Sequence, residues 1–193
     1  MGATQTNCYI VKINNKELII DPGMGATNWV VDNVSNPIAI LNTHGHFDHI
    51  WSNRELKERL KIPLYIQKDD AFMLETCPLG QHPPQSKADY LVNGDEKIKI
   101  EGIDIYFRHF AGHTPGNAII EIEDVWFSGD FLFQGSIGRW DFPFSSKEQM
   151  IKSLEKAMQL EEDFTLYPGH GMSTTLKQEQ RGMKQWIEIV KNS

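Results

Sequence analysis

Cysteine is nearly missing: Cys8 and Cys77 are the only two in 193 residues. They stand too far apart for a C-x-x-C metal knuckle and are too few for a disulfide scaffold, so both read as plain buried or surface thiols. Long apolar runs are missing too. No stretch approaches the roughly 20 apolar residues of a membrane span, and the opening "MGATQTNCYI" lacks the basic and apolar regions of a signal peptide. The expectation is a soluble cytoplasmic chain with no membrane partner. Positive charge is scarce: 19 Lys and Arg face 26 Asp and Glu, a net charge of −7, with no basic cluster to track a phosphate backbone. Nucleic acid is therefore not an expected partner. The G-x-S-x-G elbow of a serine hydrolase is absent as well, since neither "GHGMST" nor "FSGDF" supplies it, and no protein nucleophile is assigned.

What remains is an ordinary globular composition, 40% hydrophobic and 23% charged, with enough length for one well-buried domain. β-rich runs fall at "NCYIVKI", "KELIID", "PIAILNT", "PLYIQ", "KIKIEGIDIYFRHF", "NAIIEIE", "DVWFSGD" and "FTLYPG". Helical patterns cover roughly 49–60, 68–76, 146–160 and 176–190. Ser145 with Glu148, and Thr175 with Gln178, have capping-box spacing at the start of the last two. Several strands follow one another directly, so a layered α/β sandwich with hairpins in both halves fits better than a purely alternating sheet. The segment "CPLGQHPPQSKADY", residues 77–90, reads as a surface loop near a functional face, either lid or spacer.

Histidine is concentrated where the chain turns. "NTHGHFDHI" follows an apolar run, and His44 and His46, two residues apart, project to one side of an extended segment. Asp48 and His49 follow at the turn into a helix. Three further donors end buried runs in glycine-rich turns: His113 in "FRHFAGHTPG", Asp130 in "DVWFSGD" and His170 in "FTLYPGHG". Loops beyond one end of the strands can bring such residues together. Seven donors exceed one tetrahedral ion, whereas two ions about 3.5 to 4 Å apart sharing a carboxylate would use them all. Nitrogen and carboxylate donors without thiolate suit zinc, with iron or manganese as alternatives. Burying three imidazoles and a carboxylate with no ion would leave costly unmatched polar groups. His82 and His109 read instead as hydrogen-bonded turn residues. Asp21, in "LIIDPG", is a candidate partner that fixes the tautomer of a ligand imidazole, or else a turn cap. Arg139 is a candidate fork for a substrate carboxylate, or else a solvated arginine.

With the H-x-H-x-D-H group at His44, His46, Asp48 and His49, and with Gly112-His113, Ser128-Gly129-Asp130 and Pro168-Gly169-His170-Gly171 behind it, the sequence resembles the metallo-β-lactamase superfamily from about Asn7 to about Ser173. The resemblance implies a four-layer αβ/βα sandwich, two mixed β-sheets flanked by helices, with the metal site along one edge. It implies one ion held by His44, His46 and His113, a second by Asp48, His49 and His170, and Asp130 between them. "GDFLFQGSIGRWDFP" and the opening "TNCYIV" with "DPG" look like the short glyoxalase II-like hydrolases. Full-length glyoxalase II carries a further C-terminal helical domain, so residues 1–193 are expected to form a single domain without it. Family members usually have another strand before the "TNCYIV" region, which fits a truncated start or a missing edge strand here.

The expected activity is hydrolysis of a small acyl thioester of the S-lactoylglutathione type by a metal-bound hydroxide. Asp48 would orient that nucleophile, and no oligomeric state is assigned. The alternative is a persulfide dioxygenase, similar at "GRWDF" but typically using one iron and lacking the glycine that precedes His170 in "PGHG". A β-lactamase is disfavoured because common di-zinc forms carry a cysteine ligand where Asp130 stands.

Overall fold

The computed structural model describes residues 1–76 and 78–193. Cys77 lies outside the described residues, and Cys8 is a half-buried free thiol. Two mixed sheets face each other. The first has the order β1 (Tyr9–Ile13), β2 (Lys16–Ile20), β3 (Pro37–Leu41), β4 (Leu64–Gln67), β5 (Tyr90–Val92). Its β1–β2 pair is an antiparallel hairpin, and β2 through β5 run parallel. The second contains β6 (Glu96–Ile100), β7 (Ile103–His109), β8 (Ala118–Ile122), β9 (Val125–Gly129), β12 (Thr165–Pro168) and β13 (Thr174–Thr175), in the order β13-β12-β9-β8-β7-β6. There only β12 and β9 are parallel. A small ribbon, β10 (Leu132–Phe133) with β11 (Ser136–Ile137), comes after β9.

Side-chain alternation makes four layers out of two sheets. Leu18, Ile20, Ala39 and Leu41 point from the first sheet into a shared core with Ile105, Phe107, Ile120 and Phe127 of the second. Their neighbours Ile19, Ile40, Leu64 and Ile66 face the other way, onto α1 (Ala26–Asn33) and α3 (Asn53–Leu60). Likewise Ile119, Trp126 and Leu166 turn outward beneath α4 (Lys147–Met158) and α5 (Leu176–Asn192). The central strands are covered on both faces and read as continuous apolar runs, whereas β6 and β7 alternate and leave part of one face open. Among the described residues no helix is long and apolar enough to cross a membrane.

The eight β-rich runs all lie on strands, and the layered sandwich with hairpins in both halves is what forms. The helix expected over 49–60 is broken into α2 (Phe47–Ile50) and α3. Ser52 ends the first piece: its N–H donates to Pro22 O and its hydroxyl to Gly23 O, so neither serves a continuous helix. The pattern over 68–76 is a 3-10 helix, Lys68–Leu74. The cap of α4 is Ser146 accepting from Gln149 N, one residue later than the Ser145–Glu148 spacing suggests, because Ser145 turns its hydroxyl to His113 O. Thr175 caps α5 by accepting from Gln178 N, as the spacing indicates.

Phe107, with no exposed surface between the sheets, gives a test of this packing. Phe107→Ala should lower the unfolding free energy by about 3–5 kcal/mol, read as an earlier midpoint in urea with an unchanged slope.

Candidate metal centre

Parallel strands β2 and β3 end side by side, and the chain turns polar directly after each, at Asp21 and at Asn42. Asp21 has φ +47 and accepts three hydrogen bonds. Oδ1 takes Thr43 N at 2.8 Å; Oδ2 takes Thr43 Oγ1 at 2.6 Å and faces His49 Nδ1 at 2.9 Å. A carboxylate can only accept, so His49 carries its proton on Nδ1. Thr43 Oγ1, having given its hydrogen to Asp21, accepts from His44 Nδ1 at 3.1 Å. His113 Nδ1 donates to the carbonyl of Arg139 at 2.8 Å, which fixes that ring in the same way.

The consequence lies on the other ring nitrogens. Nε2 of His44, His46, His49 and His113, together with Asp130 Oδ1, are buried and have no hydrogen-bond partner. Buried polar atoms are normally paired, and lone-pair nitrogens gathered around a carboxylate are the donor set of a cation. Two groups emerge whose donor atoms lie within 4.8 Å of one another, His44 with His46 and His113, and Asp48 with His49 and His170. Asp130 stands between them: Oδ2 is 3.5 Å from His113 Nε2 and 3.6 Å from His170 Nε2, while Oδ1 is 3.3 Å from His49 Nε2. Asp48 Oδ2 lies 3.3 Å from His170 Nε2. The seven donors singled out in the sequence are thus in one place, and they fit divalent cations. A third grouping, Asp21 with His44 and His49, is already occupied by hydrogen bonds on the Nδ1 side.

The two groups differ electrically. Burial holds His44 well below the ordinary imidazole value, brings His46 down to about 3 and lowers His113, so this trio stays neutral at pH 7. In the other group burial opposes charge as well, but the carboxylates win. Asp48, Asp130 and Asp21 raise His49 well above its usual value, and hydrogen bonds to Asp130 and Asp48 bring His170 up to about 9. Burial works against the charge on Asp48 and Asp130 too, yet His49 and His170 hold both below the carboxylate range.

Several contributors gave no clear signal in the sequence. Thr6, fully buried, donates from its hydroxyl to Asp48 Oδ2 at 2.7 Å and forms a β-bridge with His170. Asn7 Nδ2 donates to Pro168 O at 3.0 Å and Gly171 O at 2.9 Å, clasping the last ligand loop. Asp70, fully buried and pushed up to about 6 by that burial, accepts from Gly45 N, Thr114 Oγ1 and Gly116 N, tying the His44–His46 turn to the loop after His113. Gly169 has to be glycine, because a Cβ there would lie 2.2 Å from Asp130 Oδ1 and 2.6 Å from His49 Cε1.

Arg139 reaches the site through its carbonyl, while its guanidinium forms two hydrogen bonds to Asp141 and lies over Phe142. His109 Nε2 meets Pro115 O at 2.8 Å, a turn contact; His82 is exposed on the loop after residue 77. That loop does flank the centre: Pro78, Leu79, Gln81 and Pro83 line a crevice with Gly45, Phe47 and Met73.

Comparison with known proteins places this arrangement among relatives. Residues 1–170 match the family model described as the Metallo-beta-lactamase superfamily. The chain is 34% identical to a hydroxyacylglutathione hydrolase of Haemophilus influenzae, over 93% of this chain and 92% of that one. The crystal structure of the BLEG-1 B3 metallo-beta-lactamase superposes with a TM-score of 0.85 at 32% identity, covering 94% of each chain. The structure of TTHA1623 in a di-iron-bound form does so at 0.81 and 31% identity, covering 94% of this chain and 95% of that one.

Two outcomes test the electrostatics. Because His49 and His170 are protonated without a cation, cation uptake by their group must expel protons at pH 7, and affinity there should rise with pH until about 9. Uptake by the neutral trio should expel almost none. Calorimetry in buffers of different ionisation enthalpy separates the two. Asp21→Asn puts an NH2 donor where one of the two oxygens that accept from Thr43 and His49 stands, and chelator competition should show cation affinity reduced about 10- to 100-fold.

Proposed function

The chain belongs to the metallo-β-lactamase superfamily, and on that premise we propose that it is a metal-dependent hydrolase that cleaves a small acyl thioester of the hydroxyacylglutathione kind. The observation that carries the hydrolase reading is the set of buried, unpartnered Nε2 atoms facing Asp130. Thioester chemistry is supported by the likeness to the Haemophilus influenzae hydrolase, which runs nearly end to end. Divalent cations held by His44, His46 and His113 and by Asp48, His49 and His170 would supply an ionised water near neutral pH and positive charge against a developing oxyanion.

The protein's own part is positional. Asp48, kept ionised and steadied through Thr6, presents a carboxylate oxygen that orients the attacking water and accepts a hydrogen bond from it. His170, with 31% of its side chain exposed, marks the open side through which substrate enters. A thiolate leaving group, with a pKa of about 8.5, departs without a strong general acid, consistent with the lack of an assigned acid beyond these carboxylates and imidazoles.

β-Lactam hydrolysis is a second reading. Asp130 in place of a cysteine ligand speaks against it; 32% identity to a B3 enzyme over 94% of the chain speaks for it. Purified protein assayed with S-lactoylglutathione, a panel of other thioesters and nitrocefin, alongside elemental analysis, decides between them. Oxygen uptake with a persulfide substrate and one iron per chain would instead identify a persulfide dioxygenase. His46→Ala should abolish turnover and reduce bound metal, whereas His82→Ala should do neither; equal effects from the two replacements would overturn the ligand assignment.

A further inference from the structure

Asp70 is a carboxylate with no exposed surface, and the chemistry proposed above gives it no part. Oδ2 accepts from Gly45 N at 2.9 Å and from Thr114 Oγ1 at 2.6 Å, and Oδ1 accepts from Gly116 N at 2.5 Å. All three donors are neutral. A carboxylate buried among neutral donors is expensive to keep unless a positive charge lies close by. Burial accordingly lifts Asp70 to about 6, and the three hydrogen bonds keep it from rising further.

The donors say where that positive charge belongs. Gly45 lies between His44 and His46, and Thr114 follows His113, so the carboxylate joins the backbone on both sides of one cation group. None of its three bonds goes to a residue adjacent to Asp48, His49 or His170. The two groups also differ in what they lack. Asp48 brings a negative charge of its own to the second group, whereas the first consists of three neutral imidazoles and only shares Asp130. Spacing is fixed as tightly as charge. Asp70 stands in the first turn of the 3-10 helix Lys68–Leu74, and Gly116 packs on it so closely that a Cβ there would fall 2.7 Å from Asp70 N and 2.9 Å from its Cγ. The helix is thereby wedged between the loops that present His46 and His113, whose ring centroids are 4.5 Å apart.

We propose that Asp70 is the positioning residue of the His44, His46 and His113 group alone: it sets the spacing of His46 and His113 and supplies, from behind their loops, part of the negative charge that a cation held there requires. It acts through the ligands and not on substrate. The inference concerns cation affinity and holds whichever substrate is cleaved.

Zinc alone is the probe, titrated against a chelator into the full chain in two backgrounds: His170→Ala, which leaves the trio whole, and His46→Ala, which leaves Asp48, His49 and His170 whole. Asp70→Asn should weaken zinc binding about 10- to 100-fold in the first background and less than about threefold in the second. Thr114→Val, which removes a single donor to Asp70, should cost about 3- to 10-fold in the first background only, and Thr114→Ser, which keeps the hydroxyl, should restore the affinity. Urea midpoints identify any variant that fails to fold; if Asp70→Asn does, the two Thr114 variants decide. Equal losses in both backgrounds would make Asp70 a general brace, and an unchanged affinity in the His170→Ala background would leave it without a role at the centre; either result refutes the proposal. No turnover enters the measurement, so the thioester reading can fail while this one stands.

Discussion

Four imidazole nitrogens facing a carboxylate, out of water and without partners, constitute the constraint around which this protein is arranged. Left alone, that arrangement costs desolvation that only the pairing of His49 and His170 with Asp48 and Asp130 offsets, while His44, His46 and His113 get nothing back locally. A cation converts the cost into binding energy, and the surrounding hydrogen bonds keep the lone pairs aimed inward. Asp21, Thr43 and the Arg139 carbonyl each consume the outer nitrogen of a ring. The same atoms thereby determine tautomer, orientation and charge in one stroke.

The sandwich explains why the site sits where it does. His44, His46, Asp48 and His49 come from the first sheet's side, whereas His113, Asp130 and His170 come from the second. Neither half holds a complete set for both groups, so the apolar core between the sheets and the polar cluster at their edge depend on the same docking. Asp70 reinforces the seam by bonding one loop from each half, and the neutral trio straddles it. Charge is divided unevenly between the two groups, both of which straddle that seam. Histidines near the carboxylates keep their protons, and those sheltered by burial lose them.

Much of this was legible in the residue order, for physical reasons. Strands covered on both faces announce themselves as apolar runs, and ligands that close such runs are conspicuous because burial makes an unexplained histidine expensive. The misses obey the same logic in reverse. Helix α1 is short, starts at Gly25 without a side-chain cap and carries adjacent valines, so neither propensity nor capping marks it. Ser145 and Ser146 are equivalent on paper, and only the nearby His113 carbonyl decides which one caps α4. Asp70 stands after another aspartate in a charged stretch and reads as solvated until the fold closes over it. Thr6 and Asn7 act across more than 40 and 160 positions respectively, a separation no local pattern encodes.

The reach of Thr6 and Asn7 has a practical side. Opening residues are often treated as a disposable tail, trimmed to encourage crystals or extended with an affinity handle. Here they grip Asp48 and the turn that carries His170. Any substitution at Thr6 or Asn7 therefore pulls on the reactive end of the molecule, and a preparation altered there with weakened cation binding reports on the lost grip rather than on the ligands.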